Sequence, residues 1–228
     1  MPEIQERARR LILRLVYFGP PGSGKAANLQ CIHELLRDDS RSRIRSVSTG
    51  AERSLHFDTT LPAEAGGIGA VAPGEEPWRV TLAVSGCSSP LLKESKAAIL
   101  ASADAIAFVA HGSRSKREEN HEAMRELEAL LRTRRGRVPQ LVLQVNRADM
   151  NGAQADEEVE REWAHRSCPI FTASPATGEG VRETFTCLLR LAYEEANRDL
   201  DLVSETGLTL PGVTAAALQA MRQTEMRV

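Results

Sequence analysis

The stretch LVYFGPPGSGKAANLQ, residues 15–30, limits what this chain can fold into more than any other feature. An apolar run at 11–18 leads directly into a glycine-rich turn, and helical spacing of apolar residues follows at 26–37. Gly19, Gly24 and Lys25 have the spacing of a phosphate-binding loop. In such a loop, backbone N–H groups and the start of the next helix surround phosphate oxygens, and the Lys adds a full positive charge. The stretch therefore predicts a strand, a phosphate loop and a helix in succession.

The loop departs from its usual pattern after the Lys. Where a Ser or Thr hydroxyl normally contacts Mg²⁺, this chain has Ala26. Mg²⁺ tolerates an incomplete octahedron badly, so the loss of one ligand weakens its binding. The loop amides and Lys25 do not depend on that hydroxyl, so we expect phosphate binding to persist, with Mg²⁺ possible but weakened. The residues expected at the phosphates are Gly19, Gly22, Ser23, Gly24, Lys25, Ala26 and Ala27.

Short apolar segments alternate with helical patterns along the rest of the chain. The clearest predicted strands are 78–84, 105–111 and 140–146, and the clearest predicted helices are 90–103 and 116–132. This alternation is typical of an α/β protein whose mostly parallel sheet is covered by helices on both faces. We expect one domain over residues 1–196. Residues 197–228 are expected to form a C-terminal extension with a short helix, because that part is polar and turn-rich before a weak helical pattern. Such a helix usually packs on its own domain, and docking on a partner is the alternative.

Composition excludes several classes of protein. The net charge of −2 argues against a dedicated nucleic-acid binder. No apolar run approaches the roughly 20 residues of a membrane span, and neither a signal core nor a lipidation motif is present. The four cysteines are far apart and have no metal-ligand spacing, which is typical of reduced thiols. We therefore expect a cytoplasmic protein without an intrinsic membrane anchor.

A second motif, QVNRADM at 144–150, predicts the base of the ligand. Asn146 and Asp149 form an N-x-x-D pattern directly after a buried strand. A carboxylate only accepts hydrogen bonds, and guanine presents N1–H and N2–H to it whereas adenine presents a lone pair at N1. Arg147 lies between the two, and its aliphatic stem can cover the base. The motif therefore indicates guanine.

With these motifs in this order, the chain resembles a Ras-like small GTPase. In those proteins a Ser-Ala-x turn lies beside the base, and Ser174, Pro175 and Ala176 occupy the matching positions here. The segments VYFGPPGSGKAANLQ, AERSLHFD, LAVSG and PATGEGV are further similar to the bacterial gliding-motility GTPases of the MglA family. The resemblance covers roughly residues 10–195. It implies a P-loop NTPase of the small-GTPase (Ras-like) fold, with a mostly parallel six-stranded sheet, that cycles between GTP and GDP.

The resemblance also assigns candidate residues for hydrolysis. Arg53 matches the Arg of the first switch segment, which acts in that family as an intrinsic arginine finger and can be worth about 10³–10⁵ in rate. Gly86 matches the Gly of the second switch segment. Cys87 follows it where a Gln normally orients the attacking water, and a thiol cannot donate and accept as an amide does. Asp58 and Thr59 are candidate metal ligands, because either could supply the contact that the missing hydroxyl cannot.

Two hypotheses for function remain. The first is a guanine-nucleotide-binding switch of the MglA type, with weak or partner-dependent GTP hydrolysis, acting in cell polarity or motility. The resemblance implies that its partner is a small roadblock-fold regulatory protein or another protein effector, contacted by the switch segments 50–62 and 84–92. The second is a pseudo-GTPase, a scaffold that binds a protein partner without a hydrolytic cycle. Whether the chain is an enzyme stays open at this point.

Overall fold

The computed structural model describes residues 2–49, 52–62, 76–87, 93–134, 136–146 and 161–221. These residues form an α/β fold built on an eight-stranded sheet. The strands are β1 (Glu3–Gln5), β2 (Arg10–Phe18), β3 (Arg45–Thr49), β4 (Glu52–Thr60), β5 (Arg79–Gly86), β6 (Ala105–His111), β7 (Gln140–Asn146) and β8 (Ile170–Ala173). The helices are α1 (Lys25–Leu35), α2 (Lys93–Ser102), α3 (Arg117–Arg132), α4 (Val181–Leu200), α5 (Leu202–Thr206) and α6 (Leu210–Ala220). Short 3₁₀ turns cover Glu6–Ala8 and Arg114–Lys116.

The sheet is mostly parallel, as the sequence predicts, but it has eight strands instead of six. Its order is β3-β4-β5-β2-β6-β7-β8, and β1 pairs antiparallel with the start of β2. The five strands β5, β2, β6, β7 and β8 are parallel to one another, whereas β3 and β4 form an antiparallel hairpin at one end, and β4 is also antiparallel to β5. One of the two additional strands is β1, which is only 3 residues long and reads Glu-Ile-Gln, so it carries no apolar run that a sequence pattern could detect.

The parallel register brings the carboxyl ends of the strands to one rim. Tyr17 of β2 lies opposite Gly86 of β5, and Asn146 of β7 lies opposite both His111 of β6 and Ala173 of β8. Ligands of such sheets bind beyond this edge. The segments that follow these strands are therefore collected at the edge where the sequence analysis places the site.

Two apolar clusters lie on the two faces of the sheet. Alternate residues of β2 divide between them, because successive strand side chains point to opposite faces. Leu13 and Leu15 pack in the cluster with α1, α4 and α6, whereas Val16 and Phe18 pack in the cluster with α2 and α3. Within the described part of the chain, none of the helices has the length and apolar character needed to cross a bilayer.

The segment after residue 196 packs into the first of these clusters. The expected boundary at 196 falls inside α4, which continues to Leu200. Tyr193 of α4 donates its hydroxyl to the carbonyl of Leu208 at 2.6 Å, and the backbone N–H of Arg37 donates to the carbonyl of Ala220 at 2.8 Å. The side chains it buries in the core are Leu202, Leu208, Val213, Ala216, Ala217, Ala220 and Met221. Small apolar residues of α6 thus cover α4 and the end of α1.

Candidate nucleotide-binding site

The phosphate loop joins β2 to α1 and passes very close to two neighbouring strands. A Cβ on Gly19 would lie 2.2 Å from the carbonyl oxygen of Val109 in β6, and a Cβ on Gly24 would lie 2.4 Å from Nδ2 of Asn146 in β7. Gly24 also has φ of 89°, in the left-handed region. Both positions therefore need glycine, which sets the loop directly against the rim of the sheet.

Lys25 is held across the loop that it closes. It is the first residue of α1 and only 7% exposed. Its ammonium donates to the carbonyl oxygens of Gly19 at 2.9 Å and Pro20 at 2.6 Å. These bonds fix a positive charge at the start of α1, where the helix dipole adds a partial positive charge of its own. The arrangement favours an anion at this end of the helix.

The loop opens with two prolines, Pro20 and Pro21, which have no backbone N–H. The amide donors for phosphate oxygens therefore come from residues 22–26, including the first turn of α1. One of these donors, the amide of Ser23, bonds to the carbonyl of Pro20 at 3.3 Å within the loop. Ala26 is partly buried against the first apolar cluster, and Ala27 is exposed.

Asn146 joins the end of β7 to the phosphate loop through a buried network of side-chain amides. Its Nδ2 donates to the carbonyl of Ser23 at 2.7 Å. Its Oδ1 accepts from Asn28 Nδ2 at 3.2 Å and from Gln144 Nε2 at 2.6 Å. Asn28 Nδ2 also donates to the carbonyl of Gly24 at 3.0 Å, and Gln144 Nε2 also donates to Asn28 Oδ1 at 2.7 Å. We call Asn28, Gln144 and Asn146 the amide network.

Sequence reasoning selected Asn146 and missed the other two amides. Asn28 and Gln144 are completely buried. No described residue gives Gln144 Oε1 a hydrogen bond, and an unsatisfied buried polar atom costs about 1–3 kcal/mol. The sequence signal that could have identified Asn28 and Gln144 is a polar residue at a position where the apolar pattern of a helix or strand predicts an apolar one.

His111, at the end of β6, is a second residue that the sequence did not single out. Its Nε2 lies 2.8 Å from the carbonyl oxygen of Pro21, and its ring faces Gly22. Asn120 of α3 fixes the backbone of His111 by accepting from its N–H at 2.8 Å and donating to its carbonyl at 2.9 Å. Three strands, β2, β6 and β7, thus support the same loop.

The turn after β8 lies beside Asn146. The backbone of Ser174 closes it, because its N–H donates to the carbonyl of Glu179 and its carbonyl accepts from Gly178, each at 2.8 Å. Pro175 is half-buried and Ala176 is exposed. The turn therefore lies at the same rim as Asn146, and its contact with a base stays a prediction. Arg147 and Asp149 lie outside the described residues, so their assignment to the base stays a prediction.

For the candidate hydrolysis residues, the structure shows no side chain directed at the phosphate loop among those that it describes. Gly86 ends β5 beside Leu29 of α1. Cys87 is 1% exposed and packs in the second apolar cluster, with its backbone N–H on the carbonyl of Tyr17 at 2.8 Å. The backbone of Arg53 pairs with Ser48 in the β3–β4 hairpin, and its side chain lies outside the described part of the structure. The catalytic assignments of Cys87 and Arg53 remain predictions.

The structure does not bring Asp58 and Thr59 to the phosphate loop. Asp58 pairs with Ala83, which is three residues before the end of β5, or about 10 Å along the strand. Its carboxylate lies 3.3 Å from the guanidinium of Arg45. The hydroxyl of Thr59 is buried and donates to the carbonyl of Ser40 at 2.8 Å. Among the described residues, no group of three or more His, Cys, Asp and Glu side chains could hold a metal ion.

Comparison with known proteins agrees with this geometry. No protein-family model matches the chain. It is 28% identical over 201 residues to the mutual gliding-motility protein MglA of Myxococcus xanthus (strain DK1622), and the alignment covers 87% of this chain and 99% of that protein. The similarity thus extends over most of both chains. This similarity supports an MglA-type small GTPase of the Ras-like class.

Proposed function

We propose that the protein is a guanine-nucleotide-binding switch of the MglA type, with weak or partner-dependent GTP hydrolysis, that acts in cell polarity or motility. The observation that carries the proposal is the phosphate loop and the side chains that support it. Lys25 is fixed at the start of α1, and Asn146 reaches the loop from the strand that precedes the N-x-x-D motif. The similarity to a protein named for gliding motility supports the cellular process.

The residues of the rim suit GTP and GDP. The loop amides of residues 22–26 and the ammonium of Lys25 would hold the phosphates. Asn146, Arg147 and Asp149 would read guanine, and the turn at 174–176 would lie beside it. The same rim suits Mg²⁺ poorly, because Ala26 has no oxygen to offer and the side chains of Asp58 and Thr59 are engaged in the sheet.

Slow hydrolysis follows from what the rim lacks. Phosphoryl transfer depends on charge stabilisation and on a positioned water. Ala26 removes a metal ligand, and the buried thiol of Cys87 offers no amide to that water. We therefore assign any useful rate to Arg53 or to groups brought by a protein partner. A roadblock-fold regulator or another effector that contacts the switch segments 50–62 and 84–92 is the proposed partner.

A titration with fluorescent GTP tests nucleotide binding. The wild type is expected to bind GTP and not ATP, both with Mg²⁺ and with a chelator. Lys25→Met removes the fixed charge and should weaken binding by about 10- to 100-fold, because hydrogen bonds to charged groups are worth about 1.5–3 kcal/mol. Lys93→Met, which removes an exposed lysine at the start of α2, is the control and should bind like the wild type. A wild type that fails to bind GTP would overturn the proposal.

The second candidate is a pseudo-GTPase scaffold, favoured by Ala26 and by the burial of Cys87. The two candidates differ in what the partner senses. A switch should capture its partner in one nucleotide state only, and Lys25→Met should abolish the difference between states. A scaffold should capture the same partner equally with GTP, with GDP and with Lys25→Met.

A further inference from the structure

We propose that Gln144 and Asn28 are positioning residues, which hold the phosphate loop and the side chain of Asn146 in one arrangement. The inference rests on the proposed nucleotide site and assigns a role to two residues that lie outside the phosphate-loop pattern, which ends at position 26, and outside the N-x-x-D pattern at 146–149. Gln144 is the centre of the amide network, since its Nε2 donates to Oδ1 of both Asn28 and Asn146. The other ends of these two side chains donate to consecutive carbonyls of the loop, those of Gly24 and Ser23.

The orientation of each amide follows from its partners. A backbone carbonyl can only accept, so the nitrogen of Asn146 must face Ser23 and the nitrogen of Asn28 must face Gly24. Both side-chain oxygens then face Gln144, which must present its nitrogen to them. The oxygen of Gln144 is left without a partner among the described residues. No other choice of amide orientation satisfies both loop carbonyls.

This orientation determines what Asn146 can offer a ligand. Its oxygen already accepts two hydrogen bonds, from Asn28 and Gln144. Its nitrogen carries two hydrogens, and one of them goes to Ser23. Asn146 is therefore set to donate to a base and not to accept from it. The edge of a purine that carries N7 presents an acceptor suited to that donor.

Packing alone does not explain Gln144. Its neighbours in β7, Leu143 and Val145, are apolar and buried, and an apolar side chain at 144 would remove the unsatisfied oxygen of Gln144 but would also remove the donor to the buried Oδ1 of Asn28. What the amide adds is a pair of donors aimed at the two asparagines. Because the network bonds the loop at one end and orients Asn146 at the other, it links the phosphate half of the site to the base half.

Nucleotide analogues provide a readout that a loss of folding would not mimic. Gln144→Met keeps the length of the side chain but removes its donors, and Gln140→Met changes the same residue type at an exposed position of the same strand. Gln144→Met should weaken GTP binding by about tenfold, the order of one net hydrogen bond. It should also reduce the preference of the wild type for GTP over 7-deaza-GTP, which lacks the N7 acceptor. Gln140→Met should change neither.

Hydrogen exchange of the nucleotide-free protein separates this inference from the proposed function. Amides of residues 22–28 should exchange faster in Gln144→Met and in Asn28→Leu than in the wild type or in Gln140→Met. The double variant should exchange no faster than the more affected single variant, because both act on one network. If GTP does not bind, the proposed function fails while exchange still tests the network. Unchanged loop exchange in folded Gln144→Met, or in Asn28→Leu if the first variant does not fold, would overturn the inference.

Discussion

The Nε2 atom of His111 lies 2.8 Å from the carbonyl oxygen of Pro21, so the end of β6 supports the part of the phosphate loop that has no amide hydrogens. A carbonyl accepts only, which makes Nε2 the protonated ring nitrogen. This contact holds the loop at Pro21, and the amide network holds it at Ser23 and Gly24. We therefore expect the contact of His111 with Pro21 to contribute to GTP affinity.

Replacing His111 by Phe keeps a ring against Gly22 but removes the donor to Pro21. We expect GTP affinity to fall by about three- to tenfold, the equivalent of one net hydrogen bond of 0.5–1.5 kcal/mol. The measurement is a fluorescent GTP titration at constant pH. His165→Phe, which changes an exposed histidine, should bind like the wild type. Equal affinity in His111→Phe and wild type would show that the loop does not need this support.

Two glycines of the loop offer a matched comparison of strain and close contact. Gly22 and Gly24 both have positive φ, so alanine strains the backbone at either position. Only at Gly24 would the new Cβ collide with Asn146, at 2.4 Å; at Gly22 the nearest atom is His111 Cε1 at 3.6 Å. Gly24→Ala should therefore lose GTP binding and thermal stability to a much greater extent than Gly22→Ala. Similar losses in both variants would mean that backbone strain alone, and not the collision with Asn146, causes the loss of binding and stability.

Neighbouring residues of α6 test whether the C-terminal segment belongs to the core. Ala217 is 1% exposed and Leu218 is 46% exposed. Ala217→Asp buries a charge in the apolar cluster and should lower the free energy of unfolding by more than about 3 kcal/mol. Leu218→Asp should change it by less than about 1 kcal/mol. Urea unfolding measures both, and equal stability of the two variants would argue against this packing.

Ala26→Thr returns a hydroxyl to the first turn of α1. We expect GTP binding by this variant to depend on Mg²⁺ more strongly than in the wild type, because the hydroxyl supplies a metal ligand. The measurement is the ratio of GTP affinities with Mg²⁺ and with a chelator. The same ratio in Ala26→Thr and wild type would show that the residue at position 26 does not determine how strongly Mg²⁺ binds.

We expect GTP hydrolysis to need a second substitution in addition to Ala26→Thr. Cys87→Gln supplies an amide for the attacking water, and only together with Ala26→Thr should it raise single-turnover phosphate release clearly, because the two groups act on one step. Because Cys87 is buried, the amide of Cys87→Gln is expected to lower the stability of the variant by about 1–3 kcal/mol. Arg53→Ala in the double variant should reduce the release again. Rapid hydrolysis by the unmodified protein would contradict the proposed weak activity.

The phosphate loop and the parallel sheet could be predicted because their signals are local. Gly19 and Lys25 lie close together in the chain, and the strands that form the rim are mostly apolar. The amide network could not be predicted in this way. Asn28 and Asn146 are 118 residues apart, and a single polar residue within an apolar pattern does not reveal its partner. The alanines of α6 give only a weak apolar pattern, so the sequence leaves both packing on the chain's own domain and docking on a partner open for this helix.

Pro20 and Pro21 have a consequence for how the loop responds to temperature and to ligand. Each ring fixes its own φ, and Pro21 also restricts the backbone of the residue before it. The conformational entropy of this stretch is therefore already low in the unfolded chain. Less ordering is left to occur when a nucleotide arrives, so its binding carries a smaller entropic penalty. Calorimetry should detect this: Pro21→Ala should make the entropy of GTP binding more unfavourable while the bonds made by Lys25 stay the same.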